Sequence, residues 1–400
     1  MLQPGSFALT LLLAMLTGLG PLSMDMYLAS LPAIGHALDA PPAQVQLTIS
    51  VYLIGFACAQ VFHGPLSDRH GRRPVLLATL GIYLVATLAC ALSFSIETLI
   101  AARFVQAVGG SGASVLARAV VRDMFEGTRI GRELSRMAAI MALAPLLAPM
   151  IGGVLQTVFG WRSNFIALIC FGTVAWAMVW LLLPETVRRR APEPVSVVSI
   201  LRSYRRFLGE PIFVIHMGIA ACCLCGLFAW ISSAAFVLQD LYGYSAFAFG
   251  ISFALASGGY LVGTTCAARL VARWGSGRLM GVGCAAMASG GLILALVLVV
   301  APSRSEWLVA AVCIYLFGMG FSLPQSQAGA LLPFPDRAGA ASSLLGFVTL
   351  TSSAAVGAVI GRALGVSAWP PAIALLIVGV LSFVLWWLSR DVRRHGTPAH

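Results

Sequence analysis

The sequence contains no lysine and few charged residues of any kind: 10% of its 400 residues are charged and 59% are hydrophobic. Soluble domains are usually about a quarter charged. A soluble fold of this length could not bury so much apolar surface, so lipid must cover part of it. The formal net charge is +11. The arginines that produce it lie in short gaps between apolar segments, without a nucleic-acid-reading motif, which argues against nucleic-acid binding.

Several chemical motifs are also missing. The nine cysteines lie within apolar stretches and form no spaced framework, so we expect no disulfides. Cys222, Cys223 and Cys225 are close together, but no Cys-x-x-Cys or His-x-x-x-His accompanies them, and helix packing explains them better than a metal site. There is no phosphate-binding Gly-x-x-x-x-Gly-Lys loop and no polar cluster at one interface. We therefore expect no metal, no cofactor and no enzyme activity.

Long apolar runs are what the sequence does contain. A membrane span needs about 20 apolar residues. Runs of this kind predict an all-α membrane protein with twelve transmembrane helices. They lie near residues 7–30, 44–64, 74–94, 98–119, 135–158, 164–183, 212–238, 245–268, 279–300, 307–330, 339–362 and 369–388.

The arginines also predict the orientation and the domain division. They concentrate in alternate loops and in the C-terminal tail, which favours a cytoplasmic location for both termini. The arginine- and proline-rich residues 184–210 form the one substantial polar connection. This connection separates a six-helix bundle over residues 1–183 from a second bundle over 211–400 with a short basic tail. Two equal halves are typical of transporters built from repeats.

A short segment between the second and third spans has the densest pattern of charge and glycine. Gly71 permits a left-handed turn in a very short connection. We expect Arg72 or Arg73 to pair with Asp123 beyond the fourth span. The residues predicted to form this gating loop are Gly64, Asp68, Arg69, Gly71, Arg72, Arg73 and Asp123.

Two ionisable residues are predicted well inside spans, where a charge is costly and usually functional. Asp25 lies near the outer end of the first span and Arg103 near the outer start of the fourth, so the two lie at similar depth. Burial favours a neutral carboxyl and a nearby arginine favours a charged one. We interpret the pair as a proton and substrate switch. The alternative is that Asp25 is exposed to water at the interface and that the Arg103 side chain extends outward to the same interface.

Other positions are candidates for packing or for the walls of a cavity. Pro145, Pro149, Gly152 and Gly153 allow the fifth span to kink and pack closely. A drug site is mostly apolar with a few polar groups. The candidate cavity residues are Tyr27, Tyr52, Gln60, Gln106, Trp230, Phe236, Tyr260, Phe317 and Gln325. For His63 and His216 we favour structural roles over proton relay.

Together these motifs resemble the major facilitator superfamily. The Gly-x-x-x-Asp-Arg-x-Gly-Arg-Arg string beginning at Gly64 is similar to its signature loop. Matches that narrow the resemblance to the bicyclomycin and chloramphenicol resistance (Bcr/CflA) drug–proton antiporters cover residues 25–28, Pro32, 103–106, 122–123, 144–149, 152–153, 338–343 and 367–370. The resemblance implies two helical bundles, alternating access and export in exchange for protons. It also implies a role in coupling for Asp25 and Arg103.

Two departures qualify the resemblance. Ala148 stands where the antiporter motif of the fifth span usually begins with glycine. Some multidrug relatives carry a second acid earlier in the first span, where this chain has residues 15–18, Met-Leu-Thr-Gly. This favours neutral amphiphiles, phenicol-like or bicyclomycin-like, over strongly cationic drugs.

The sequence therefore predicts a proton-coupled exporter of small amphiphilic drugs or metabolites. The expected surroundings are the bacterial inner membrane, with the chain acting as a multi-pass monomer whose partners are its substrate, protons and lipid. A proton symporter that imports a small organic solute is the alternative, which the proline and glycine pattern of the fifth span argues against.

Overall fold

A computed structural model describes residues 6–125, 128–141, 144–187, 204–334, 338–363 and 367–389, and these residues form helices and no strand. In the first half the helices are α1 Phe7–Leu28, α2 Leu31–Ala37, α3 Pro42–His70, α4 Arg72–Ala91, α5 Ile96–Met124, α6 Thr128–Met141, α7 Ala144–Phe159 and α8 Arg162–Leu182. In the second half they are α9 Pro211–Ala235, α10 Ala246–Trp274, α11 Ser276–Val300, α12 Ser305–Leu331, α13 Ala338–Ala363 and α14 Trp369–Leu388.

Eleven helices of the described residues are long and apolar enough to cross a membrane. The prediction of an all-α protein with many long apolar helices is confirmed for the described residues. The span predicted over 135–158 corresponds to α6 and α7, between which residues 142–143 lie outside the described part of the chain. α7 is apolar but has 16 residues, fewer than the other candidates. α6 carries arginines and a glutamate, so its polar first turns extend beyond what a search for apolar runs detects.

The boundary between α3 and α4 also differs from the prediction. α3 continues six residues beyond Gly64 and ends at His70, where the Gly71 amide donates to the Ser67 carbonyl at 3.0 Å. The predicted loop is therefore reduced to Gly71 alone. Its φ of +101° is one that residues with a side chain rarely adopt. α5 likewise extends to Met124, which places Asp123 in a helix.

Contacts divide the chain into two compact units. The first comprises Met1–Val195 with Ser245–Gly250, and the second comprises Ser196–Tyr244 with Ile251–His400. The predicted linker over 184–210 lies largely outside the described residues, as does the basic tail. Leu9, Leu12, Leu13, Leu16 and Leu19 of α1 lie within the first unit's hydrophobic core, which also includes parts of α4, α5, α6 and α8.

In the second unit, α11 packs against α12 and α14, and α9 packs against α12, α13 and α14. Small residues permit these close approaches. A Cβ added to Gly290 of α11 would lie 2.7 Å from the backbone nitrogen of Tyr315 in α12. α9 continues into a π-helical segment, Phe236–Leu241, in which the Tyr242 amide donates to the Val237 carbonyl. Such segments occur frequently at functional sites.

Candidate functional site

The predicted pairing of Arg72 with Asp123 is present. The Arg72 Nε atom lies 2.9 Å from the Asp123 Oδ2 atom, and the Arg72 Nη1 atom lies 2.5 Å from the Asp68 carboxylate. Arg72 also donates to the Ser67 hydroxyl. Its side chain is 11% exposed, against 48% for Asp68 and 21% for Asp123. The arginine therefore joins the end of α3 to the end of α5 from the first turn of α4.

Glu185 belongs to the same cluster, and the sequence interpretation missed it. Its carboxylate accepts from the backbone amides of Arg72 at 2.8 Å and Arg73 at 3.3 Å. These amides form the start of α4, where a helix favours an anion. The hydroxyl of the next residue, Thr186, donates to Asp123 at 3.0 Å. The sequence signal that could have indicated this contact is the position of Glu185, an acid shortly after α8 and next to a basic segment.

Arg103 is completely buried in a tyrosine cage, which we define as the rings of Tyr27 and Tyr52 that its guanidinium group contacts. The guanidinium carbon lies 4.5 Å from the centre of the first ring and 4.3 Å from that of the second. The Nη1 atom donates to the Ser23 carbonyl at 3.1 Å and to Gln106 Oε1 at 2.6 Å. The Nε and Nη2 atoms have no hydrogen-bond partner among the described residues.

The side chains that contact Arg103 make further hydrogen bonds of their own. The Tyr27 hydroxyl bonds to Thr48 at 2.8 Å and Tyr52 donates to the Gly20 carbonyl at 3.3 Å. Gln106 donates to the Thr87 hydroxyl at 2.9 Å. A buried cation without a carboxylate is costly, and two aromatic faces compensate only part of that cost. Arg103 is therefore a buried guanidinium group whose N–H donors are only partly hydrogen-bonded.

Asp25 lies between Ser23 and Tyr27 in α1 but makes no ion pair or hydrogen bond with Arg103. Ser23 and Tyr27, which contact Arg103, are four residues apart and share a face, whereas Asp25 is rotated about 200° from Ser23. Asp25 is 7% exposed, and no ion pair or hydrogen bond of the described residues involves its carboxylate. In this conformation the two predicted coupling residues are therefore both buried and not paired with each other.

Glu133 is a third buried ionisable side chain in the first unit, and the sequence interpretation placed it outside the spans. It is 2% exposed in α6. Thr10 of α1 donates to its Oε1 atom, and Arg136 lies 3.3 Å from its Oε2 atom. This carboxylate joins α6 to the beginning of α1, more than four helical turns from Asp25.

The glycines of α7 permit backbone contact, as their pattern predicts. A Cβ added to Gly152 would collide with the Met26 carbonyl oxygen, and one added to Gly153 would lie 2.5 Å from the Ala246 carbonyl oxygen. Pro149 and Gly152 are buried. An apolar groove of about 350 Å³ runs along the exposed side of α7, lined by Leu147, Met150, Ile151, Val154, Leu155 and Phe247.

The remaining candidates divide between the two units. In the first, Tyr27, Tyr52 and Gln106 converge on Arg103, whereas Gln60 is partly buried and contacts none of these in the described hydrogen bonds. In the second, Trp230 and Phe236 are buried and Tyr260, Phe317 and Gln325 are partly buried. Their role as cavity walls stays a prediction. His63 bonds to the Val108 carbonyl at 2.9 Å and His216 to the Ile212 carbonyl at 2.8 Å.

Comparisons with known proteins bear on this arrangement. The sequence profile of the Major Facilitator Superfamily matches residues 13–353. A Bacillus subtilis protein named uncharacterized MFS-type transporter YdgK is 34% identical over 88% of both chains. The bicyclomycin resistance protein homolog of Haemophilus influenzae is 29% identical over 98% of this chain and 99% of its own. Multidrug resistance protein D of Escherichia coli is 30% identical over 84% of both. The resemblance expected from the motifs is confirmed.

Solved structures agree on the fold. A D-xylose–proton symporter superposes with a TM-score of 0.78 at 17% identity, covering 95% of this chain and 97% of its own. At this identity the likeness concerns the fold alone. The family match and the eleven long apolar helices of the described residues together identify a multi-pass membrane protein.

Proposed function

Since the chain belongs to the major facilitator superfamily, we propose that it exports small, uncharged or weakly charged amphiphiles in exchange for protons. Relatives of nearly full length are named for resistance to bicyclomycin and to multiple drugs. The observation that carries the proposal is the state of the buried charges in the first unit. Asp25 has no partner among the described residues, and Arg103 has two unused donors.

In the proposed cycle, Asp25 is the switch. A carboxylate at a buried site without a counter-charge gains from taking up a proton. Protonation outside displaces the substrate, the units rock about the site, and the proton is released inside. The tyrosine cage contacts Arg103 through uncharged rings. The Nε and Nη2 donors of Arg103 therefore remain available to bind Asp25 or a substrate when either one moves.

We further propose twelve crossings with both termini in the cytoplasm. The eleven long helices are joined by α7, whose 16 residues would cross together with the end of α6. An even number of crossings and the arginine bias support the same orientation. The Arg72 cluster would then lie at the cytoplasmic face. We place the protein in a bacterial inner membrane, acting as a monomer without a cofactor or enzymatic step.

The experiment is proton release from energised inverted vesicles that contain the protein, with a pH-sensitive dye and a panel of neutral amphiphiles added one at a time. Asp25→Asn is compared with Asp39→Asn, a matched change at an exposed aspartate. We expect some compounds to dissipate the gradient with the native protein and with Asp39→Asn, but not with Asp25→Asn. If no compound acts, import by symport gains support. If Asp25→Asn behaves like the native protein, Asp25 is not the coupling residue.

A further inference from the structure

α4 carries a buried threonine, Thr87, to which the proposed cycle gives no part. Its side chain is fully buried, and so is that of Gln106 in α5, whose Nε2 atom donates to the Thr87 hydroxyl at 2.9 Å. The Oε1 atom of the same glutamine accepts from Arg103 Nη1 at 2.6 Å. Thr87 is therefore one side chain removed from Arg103, on a helix that contributes no ring to the tyrosine cage.

The amide of Gln106 has two ends with opposite hydrogen-bonding character. Its oxygen only accepts and its nitrogen only donates, so a half-turn of the amide exchanges the two. A guanidinium group has donors alone, so the end of the amide that faces Arg103 must be the oxygen. The nitrogen then needs an acceptor of its own, because an unpaired buried N–H group is costly.

The Thr87 hydroxyl can serve only as that acceptor. Its single hydrogen is donated to the Tyr83 carbonyl, one turn earlier in α4, at 2.6 Å. A hydroxyl whose hydrogen is used accepts from any further partner, and its two lone pairs allow it to accept from Gln106 and from the nearby Tyr83 hydroxyl together. Arg103 and Thr87 therefore require the same orientation of the Gln106 amide.

Reversal of the Gln106 amide would break contacts at both of its ends. The NH2 group would face the Arg103 guanidinium group, which has no acceptor, and the oxygen would face a hydroxyl without a spare hydrogen. The Cys90 thiol, a weak donor 4.0 Å from Gln106 Oε1, would lose its acceptor as well. In a buried network a partly satisfied arrangement of this kind is strongly disfavoured.

We propose that Thr87 is a positioning residue for proton coupling, which orients the Gln106 amide and thereby holds Arg103 Nη1 in place. The proposal rests on the exchange function proposed above and gives α4 a part in it. Without the Gln106 contact, Nη1 would retain one acceptor, the Ser23 carbonyl at 3.1 Å. The guanidinium group would then be held less firmly, and its Nε and Nη2 donors would no longer be presented to Asp25 or a substrate in one fixed orientation.

The test compares Thr87→Val, which keeps the shape of the side chain and removes the hydroxyl, with Thr87→Ser, which keeps the hydroxyl. Two rates are measured in inverted vesicles for a compound that is active with the native protein. One is substrate-driven proton release, and the other is exchange of labelled for unlabelled substrate without a proton gradient. Thr79→Val is the matched control, because Thr79 is also buried in α4 and its hydroxyl donates to the Leu76 carbonyl of the same helix at 3.1 Å.

The hydroxyl of Thr87 should matter for proton release and not for substrate exchange. We expect Thr87→Val to lower the maximal rate of proton release about tenfold, as the loss of one hydrogen bond to a charged group would, and to change substrate exchange by less than about twofold. Thr87→Ser should restore proton release, and Thr79→Val should leave both rates unchanged. Equal losses of both rates in Thr87→Val would indicate a structural role and would overturn the proposal.

A double variant tests whether Thr87 acts through Gln106. In Gln106→Leu there is no amide to orient, so the addition of Thr87→Val should lower proton release no further. Losses that add in the double variant would overturn the proposal. Native rates in Thr87→Val would also overturn it, while leaving proton-coupled export intact. If no compound drives proton release with the native protein, the export function fails and the role of Thr87 in coupling fails with it.

Discussion

Replacing Gly152 by alanine should force α7 away from α1. A Cβ at this position would overlap the Met26 carbonyl oxygen and lie 2.8 Å and 2.9 Å from the carbonyl carbon and Cα of the same residue. These are backbone atoms, so no change of rotamer relieves the collision. Overpacking costs up to about 3 kcal/mol, and the preference of helices for alanine over glycine offsets about 1 kcal/mol. We expect the free energy of unfolding to fall by about 2 kcal/mol.

Gly81→Ala provides the matched control for this change. Gly81 lies within α4, and a Cβ there would meet no atom within 4 Å. Only the preference of helices for alanine over glycine then affects stability. The free energy of unfolding of this variant should equal that of the native protein or exceed it by about 1 kcal/mol. The assay is reversible unfolding in mixed detergent micelles, followed by tryptophan fluorescence. Equal stability of Gly152→Ala and Gly81→Ala would refute the reasoning. Because Met26 follows Asp25, we also expect Gly152→Ala to slow substrate-driven proton release.

Three further predictions concern the side chains of the first unit. A double-mutant cycle with Arg72→Ala and Asp123→Ala should give a coupling energy of about 1–2 kcal/mol in unfolding experiments, because the pair is partly buried; additive effects would contradict the ion pair. Tyr52→Leu should destabilise the tyrosine cage by about 2 kcal/mol more than Tyr52→Phe, which retains the ring; equal losses would exclude the cation–π contact. Glu133→Leu should cost about 1–2 kcal/mol by leaving Thr10 with only the distant Ser6 carbonyl at 3.5 Å as acceptor, and Glu133→Gln less; equal melting temperatures of the two variants would contradict this.

Hydropathy alone predicts the long spans of this fold, because a membrane requires a nearly fixed number of apolar residues in succession. It fails where a helix continues outside the hydrocarbon layer. The polar ends of α3 and α5 remain helical, because water and ion pairs outside the hydrocarbon layer bind their polar side chains. The first turns of α6 were missed for the same reason, and with them the buried Glu133, whose neighbours in sequence are charged and indicate a solvated loop.

The candidate site shows the same limit at the level of side chains. The pairing of Arg72 with Asp123 was predictable, because two short connections on one side of the membrane bring their charges close together. The separation of Asp25 from Arg103 was not, since similar depth in two helices leaves the rotation of each helix undetermined. The position of the two tyrosines relative to the guanidinium group depends on packing between α1, α3 and α5, which no periodicity in the sequence encodes.

The two units contribute different chemistry. Among the described residues, the buried Asp, Glu and Arg side chains, which include Asp25 and Arg103, are all in the first unit, whereas the buried polar side chains of the second are uncharged. A charge buried in a membrane span is usually functional, so we expect the proposed proton coupling to depend on the first unit. Discrimination between neutral compounds depends on individual hydrogen bonds, which uncharged polar side chains can supply. Substitution of Asp25 should therefore abolish exchange for every compound alike, whereas substitutions in the second unit should change the order in which compounds are preferred.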